Sequence, residues 1–311
     1  MTTPPFRCGY AALIGRPNAG KSTLLNAILG QKLAITSDKP QTTRNRIAGI
    51  HTADDFQVVL VDTPGIHEAR TELNRAMVRA ATSATSDVDV IVWLGDMVTL
   101  ANRIERGEPV LSREDENVAQ VIERSEKPLI FVANKLDLVP HPLVLPVIDA
   151  IRTRMPTMKA AVPISALKGD GVTAVLNEIK ALLPEHPALY PKDAFTELSE
   201  RFLVAEIVRE KIFHFTEQEV PYSCAVDVVK FDESERTSRG LVKVFADIVV
   251  ERPSQKAIVI GKGGEMLKRI GTQARLESES LLGCKVHLAL FVKVEAQWSR
   301  SQNGLKRVGF Q

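Results

Sequence analysis

With 311 residues, 44% hydrophobic and 25% charged, the chain has an ordinary globular composition and is long enough for two domains. No run approaches the roughly 18 uninterrupted apolar residues of a membrane span. The opening Met1-Thr2-Thr3-Pro4-Pro5 lacks the basic and apolar regions of a signal peptide. The isolated Cys8, Cys224 and Cys284 support neither a disulfide framework nor a zinc site, so a cytoplasmic location is expected.

The net charge of +2 hides an asymmetry: residues 188–251 hold 8 basic and 13 acidic side chains, whereas residues 252–311 hold 11 and 4. A local positive surface suits a phosphate backbone, though the same charges also serve as a solvated face.

In chain order, short apolar runs alternate with amphipathic stretches. Tyr10–Ile14, Gln57–Val61, Val88–Leu94, Pro128–Ala133 and Ala161–Ile164 read as buried strands. Helical patterns lie at Lys21–Leu29, Leu73–Thr85, Arg113–Ser125, Leu143–Met155 and Thr173–Leu183. This is the pattern of an α/β domain, a mostly parallel, doubly wound sheet. Asn45–His51 adds an antiparallel edge strand. Leu183–Pro191 contains three prolines and reads as an extended linker.

The expected division is therefore 1–183, a linker at 184–191, and 192–311. The second part runs helix Ser199–Phe213, strands Tyr222–Phe231 and Leu241–Val250, helices Gln255–Val259 and Gly264–Leu282, and strand Lys285–Val294. The order α-β-β-α-α-β describes a compact α+β domain.

Gly15-Arg16-Pro17-Asn18-Ala19-Gly20-Lys21-Ser22 matches the phosphate-binding pattern G-x-x-x-x-G-K-[ST], and Thr23 follows it. Its glycines let successive N–H groups point at phosphate oxygens, Lys21 neutralises their charge, and Ser22 holds Mg²⁺. Asp62-Thr63-Pro64-Gly65 follows an apolar strand: the carboxylate binds Mg²⁺ through water, and the Gly65 N–H reaches a γ-phosphate. Asn134-Lys135-Leu136-Asp137 ends another strand. There Asp137 accepts from guanine's N1–H and exocyclic amine, a donor pair adenine lacks. Asn134 ties loops together, and Lys135 lies along the base. In Ser165-Ala166-Leu167-Lys168, the Ala166 N–H reaches guanine O6.

Order and spacing resemble the translation-factor class of GTPases. Pro40-Gln41-Thr42-Thr43-Arg44 looks like switch I of the Era family, where a threonine meets Mg²⁺; Thr43 is favoured, with Thr42 the alternative. Gly261-Lys262-Gly263-Gly264 between two helices resembles the G-x-x-G loop of a type II KH domain, which clamps nucleic-acid backbone; Lys268 and Arg269 follow it. The tail, with Trp298, Gly309 and Phe310, also resembles the Era family.

The resemblance implies a GTPase that uses GTP/GDP and Mg²⁺. It implies binding to the 3′ end of small-subunit (16S) rRNA, help in 30S assembly, a mostly monomeric state and peripheral contact with the inner membrane face. Ile66 stands where Ras-like enzymes keep a water-orienting glutamine. The resemblance instead implies K⁺ held by Asn18, which with Lys21, Thr43 and Gly65 makes the catalytic set; Arg44, Arg46 and His67 are further loop candidates. The segment Gly95–Pro109 is longer than the family usually shows and is expected to be a surface insertion. Rival readings are an ATP-using P-loop enzyme, a GTPase for another RNA, and a protein-docking role for the second domain.

Overall fold

The computed structural model describes residues 5–37, 39, 42–66, 72–300 and 304–305. Pro40, Gln41, His67, Gly309 and Phe310 lie outside them. Two units divide the chain, with the break between Glu197 and Leu198.

In the first unit a six-stranded sheet has the order β2-β3-β1-β4-β5-β6. Its strands are β1 (Arg7–Gly15), β2 (Ile47–Thr52), β3 (Phe56–Asp62), β4 (Val90–Asp96), β5 (Leu129–Asn134) and β6 (Met158–Pro163). All neighbours run parallel except β2, which is antiparallel to β3 at the edge. The helices are α1 (Lys21–Leu29), α2 (Glu72–Ser86), α3 (Met97–Glu105), α4 (Arg113–Ser125), α5 (Val144–Arg154) and α6 (Val172–Leu182). Strands buried on both faces explain the near-continuous apolar runs: all of Val90–Leu94 is buried, with Ile91 and Trp93 in a core with Phe131 and Val118. The last strand sits about three residues earlier than Ala161–Ile164 suggested, because Met158, Lys159 and Ala160 lie at a half-covered edge and lose the apolar signature.

The segment Gly95–Pro109, expected at the surface, is there only in part: residues 105–109 are exposed, whereas its start packs into the core. Asp96 caps α3, and Met97, Leu100 and Ala101, at the i, i+3, i+4 spacing of a buried helix face, enter the core. The proline-rich stretch is extended but held. Cys8 N–H donates to Pro184 O, His186 N–H to Phe6 O, and the Gln57 side chain bridges Leu189 and Tyr190.

In the second unit, α7 (Glu200–Phe215) precedes the short α8 (Val220–Ser223), β7 (Ala225–Asp232), the short α9 (Arg236–Arg239) and β8 (Leu241–Val250). There follow α10 (Pro253–Ile260), a 3₁₀ turn (Lys262–Gly264), α11 (Glu265–Leu282) and β9 (Lys285–Val294). The sheet order is β7-β8-β9, with β8 antiparallel to β7 and parallel to β9. The strand expected from Tyr222 begins at Ala225 because Val220–Ser223, with Pro221 in the first turn, is helical. Ile207, Ile212, Ile248, Val259, Ile270 and Val292 form the core of this unit. No described helix is long and apolar enough to cross a membrane.

Candidate guanine-nucleotide site and nucleic-acid groove

At the carboxyl ends of the first sheet's strands a cavity of about 400 Å³ opens, a volume suited to a nucleotide. The loop from Gly15 to Gly20 leads from β1 into α1, so the positive end of the helix faces this space. Pro17, Asn18, Gly20, Lys21, Ser22 and Thr23 line it. Gly15 and Ala19 lie behind the wall, and Arg16 turns its side chain away, with Nη1 3.4 Å from both Ser112 Oγ and Asp115 Oδ2. Asn18 holds a left-handed φ of 61°, which asparagine tolerates better than most side chains.

Lys21 is buried, and its ammonium donates to Arg16 O at 2.9 Å and Gly15 O at 3.3 Å. Loss of hydration pulls its pKa down to about 8, against the opposing pull of Asp62. Burial pushes the Asp62 carboxyl up, opposed by Lys21 and by hydrogen bonds from Ser22 and Thr43.

Ser22 Oγ donates to Asp62 Oδ2 at 2.6 Å, Thr43 Oγ1 lies 3.2 Å from that oxygen, and the two hydroxyls are 2.8 Å apart. Asp62 Oδ1 is buried without a hydrogen-bond partner. Oxygen donors around an under-satisfied carboxylate fit Mg²⁺, which prefers oxygen ligands. Thr42 lines the cavity too, but its hydroxyl donates to Lys39 O at 2.7 Å.

Gly65 lies against the phosphate loop so closely that a Cβ there would meet Pro17 N at 2.5 Å; only glycine allows that approach. Thr63 instead donates to Leu13 O at 2.8 Å, and Pro64 is outside the cavity lining. Ile66 is buried in the core, its N–H donating to Gly15 O at 3.3 Å, so its side chain has no access to a phosphate. Arg44 is buried, and Arg46 donates to Ala80 O and Ser83 Oγ on α2.

Three loop ends meet at Asn134. Its Nδ2 donates to Ala19 O at 2.8 Å, and its Oδ1 accepts from the Ala166 N–H at 3.0 Å. The Ala166 amide is thus engaged by Asn134 instead of facing the cavity, while Ser165 and Leu167 line it. Asp137 lies on the 3₁₀ turn Leu136–Leu138 and also lines the cavity. Lys135, left-handed at φ 69°, pairs with Asp96 at 2.7 Å. Sequence motifs missed Asp96, and they missed Ile35, Thr36, Ser37 and Leu138 of the lining. An aspartate directly before an i, i+3, i+4 apolar pattern was the available signal for Asp96.

In the second unit Gly261, Gly263 and Gly264 have φ of 73°, 61° and 83°, conformations that disfavour side chains. Beyond them α11 and β9 flank a groove. Gly264, which caps the helix, lines it; from α11 come Leu267, Lys268, Gly271, Thr272 and Arg275, one face by helical spacing, and the strand contributes Leu288 and Leu290. Arg269 is on another face and stacks over the Phe215 ring, 4.0 Å from its centroid, so it does not join the groove. Lys262 is on the 3₁₀ turn at the groove's end.

A mostly parallel sheet whose strand ends carry a phosphate loop, an oxygen-donor cluster and a base loop defines a P-loop GTPase. A model described as 50S ribosome-binding GTPase matches residues 10–135, and one described as KH domain matches residues 219–299. GTPase Era of Geobacter metallireducens is 48% identical over 310 residues, covering 100% of both chains. GTPase Era of Lactobacillus helveticus is 43% identical, covering 100% of this chain and 98% of its own. A crystal structure of a variant of Aquifex aeolicus Era bound to GDP·AlF₄⁻ superposes with a TM-score of 0.91 at 38% identity, covering 98% of this chain and 99% of that one. The same values hold for Era in complex with MgGDPNP and nucleotides 1506–1542 of 16S ribosomal RNA. The chain belongs to the Era family of GTPases.

Proposed function

We propose that the chain is a GTP-binding and GTP-hydrolysing switch that binds the single-stranded 3′ end of 16S rRNA and assists assembly of the small ribosomal subunit. Residues 1–183 act as the G domain, 192–311 as a type II KH domain, and 184–191 as the segment joining them. The observation carrying this reading is that one chain holds both a guanine-nucleotide cavity and a G-x-x-G groove. A cytoplasmic, mostly monomeric protein with peripheral contact at the inner membrane face fits the same reading.

In this mechanism the phosphate-loop amides and Lys21 hold the β- and γ-phosphates. Ser22, Thr43 and Asp62 would hold Mg²⁺, which when bound with GTP spreads the phosphate charge. Thr43 and Gly65 report the γ-phosphate, one through its hydroxyl and one through its N–H. Asp137 selects guanine by accepting two N–H donors. Asn18, on the cavity wall, would hold a monovalent cation beside the phosphates. Burial of Ile66 leaves no side chain at that position to orient water, so slow intrinsic turnover follows. RNA would run from the Gly261–Gly264 loop along Lys268 and Arg275, its bases over Leu288 and Leu290.

The test uses the full-length protein with Mg²⁺. An RNA carrying the 16S 3′ end and a scrambled RNA of equal composition are titrated in the presence of GDPNP or GDP. The reading expects preference for the authentic sequence and an affinity that depends on the nucleotide. Equal binding of both RNAs, or GTP turnover abolished as readily by ATP as by excess GDP, overturns it.

A further inference from the structure

Asp96 closes β4 and opens α3, and its two carboxylate oxygens have separate partners. Oδ1 accepts from the backbone N–H groups of Val98 at 3.1 Å and Thr99 at 3.4 Å, capping the helix. Oδ2 accepts from Lys135 Nζ at 2.7 Å. The contact follows from strand register: Asp96 is paired with Asn134 across the parallel β4–β5 ladder, so the next residue of β5's exit loop passes beside it. The side chains of the pair are 14% and 30% exposed, which limits screening by water and salt.

Lys135 sits in a left-handed conformation that a side chain disfavours, with φ 69° and ψ 35°, and it is the residue from which the Asp137 turn starts. The turn closes when Leu138 N–H donates to Lys135 O at 3.0 Å, and Leu136 N–H donates to Ile164 O at 3.0 Å. The Asp137 carboxylate already has the exposed Lys168 ammonium 3.9 Å from Oδ2, and a second ammonium, that of Lys135 two residues away, would compete further with the base for it. Asp96 gives the ammonium another anion. The first turn of α3 reaches the phosphate loop as well, where Thr99 Oγ1 lies 3.5 Å from Arg16 Nη2.

We propose that Asp96 is a positioning residue for guanine recognition: it anchors Lys135, and so the turn that presents Asp137, while capping α3. This rests on the guanine-nucleotide reading above.

The experiment separates capping from anchoring. Asp96→Asn and Asp96→Ser both keep an oxygen that can cap α3 and remove the charge facing Lys135. In the full chain, stopped-flow release of a fluorescent GDP analogue is measured together with competition by GDP, IDP and ADP. IDP lacks the exocyclic amine that Asp137 accepts from. Both variants should release the analogue about tenfold faster, near 1.4 kcal/mol, and their preference for GDP over IDP should fall at least threefold. A merely structural role would weaken GDP and IDP alike. Lys135→Met should reproduce the loss, and adding it to Asp96→Asn should cost nothing more. Release within twofold of wild type, an unchanged GDP/IDP ratio, or additive losses overturns the proposal. A wild-type protein with no preference for GDP over ADP would overturn the guanine reading itself, a failure distinct from these.

Discussion

The Asn134 side chain donates to Ala19 O at 2.8 Å, so the loop that meets the base also fixes the loop that meets the phosphates. Its other end accepts the Ala166 amide at 3.0 Å, and the residue is buried.

Asn134→Ala should therefore act on the empty protein as well as on binding. It leaves the Ala19 carbonyl and the Ala166 amide unpaired in a buried place, each costing about 1–3 kcal/mol. Together that is about 2–6 kcal/mol, so melting of the nucleotide-free protein should drop by at least about 4 °C, given about 2–4 °C per kcal/mol for a unit of this size. An unchanged melting temperature would show that the three loops are held by something else.

Lys21 makes nucleotide binding depend on pH in the alkaline range. Burial holds its pKa at about 8, below the ordinary 10.5, whereas contact with phosphate raises it again. Below pH 8 the ammonium is already charged and affinity is flat in this group. Above it, binding must take up a proton, so GDP affinity should fall by up to about tenfold per pH unit. Calorimetric titrations at pH 7 to 9.5, in buffers of different ionisation enthalpy, should find uptake of about half a proton near pH 8. No uptake and a flat affinity would refute the assignment.

Asp137→Asn should weaken GTP by several kcal/mol, since two charge-assisted hydrogen bonds are lost and an amide donor faces donors. Xanthosine triphosphate should bind the variant better than the wild type, because its 2-oxo group accepts from the new amide. Retention of wild-type GTP affinity would place the base pocket elsewhere.

The nucleotide site was legible because its parts are contiguous strings at strand ends, where a fixed loop geometry needs fixed residues. What crosses between strings was not. Asp96 meets Lys135 through the β4–β5 register, and nothing in their separation of 39 residues announces it. That the Ala166 amide meets Asn134 is likewise visible only in the fold. Length alone made α3 look like an insertion, although Met97, Leu100 and Ala101 carry a helix period after a capping residue. In α11 the charge count included Arg269, but helical phase puts Lys268 and Arg275 on the groove face and Arg269 over Phe215.

Hydrolysis should depend on the monovalent cation. Ile66 is in the core and Asn18 is on the cavity wall. Single-turnover GTP hydrolysis in K⁺ should exceed that in Na⁺ by tenfold or more at equal ionic strength, about 1.4 kcal/mol of barrier. Asn18→Ala should erase most of the difference and spare GDP binding. Equal rates in the two salts at saturating Mg²⁺ would sink the idea.

Lys262→Asp with Gly263→Asp tests the RNA clamp. Both residues lie on the exposed turn between α10 and α11, and a Cβ on Gly263 would meet nothing within 4 Å. Strain there comes from the backbone alone: at φ 61° an aspartate costs about 1 kcal/mol, less than most side chains. The unit should stay folded, because neither residue is buried. Where a phosphate backbone must come close, however, the pair exchanges a positive charge for two negative ones and adds bulk. RNA affinity should fall at least a hundredfold. Wild-type binding should weaken steeply with salt, through counterions displaced by Lys262, Lys268 and Arg275. Lys268→Ala should lower the salt slope, whereas Arg269→Ala should leave it unchanged and reduce stability, because that guanidinium packs on Phe215. The readout is a titration of single-stranded RNA at several salt concentrations, with melting curves for each variant. A double variant that binds RNA like the wild type would remove the main support for the clamp and favour a protein-docking role for this unit.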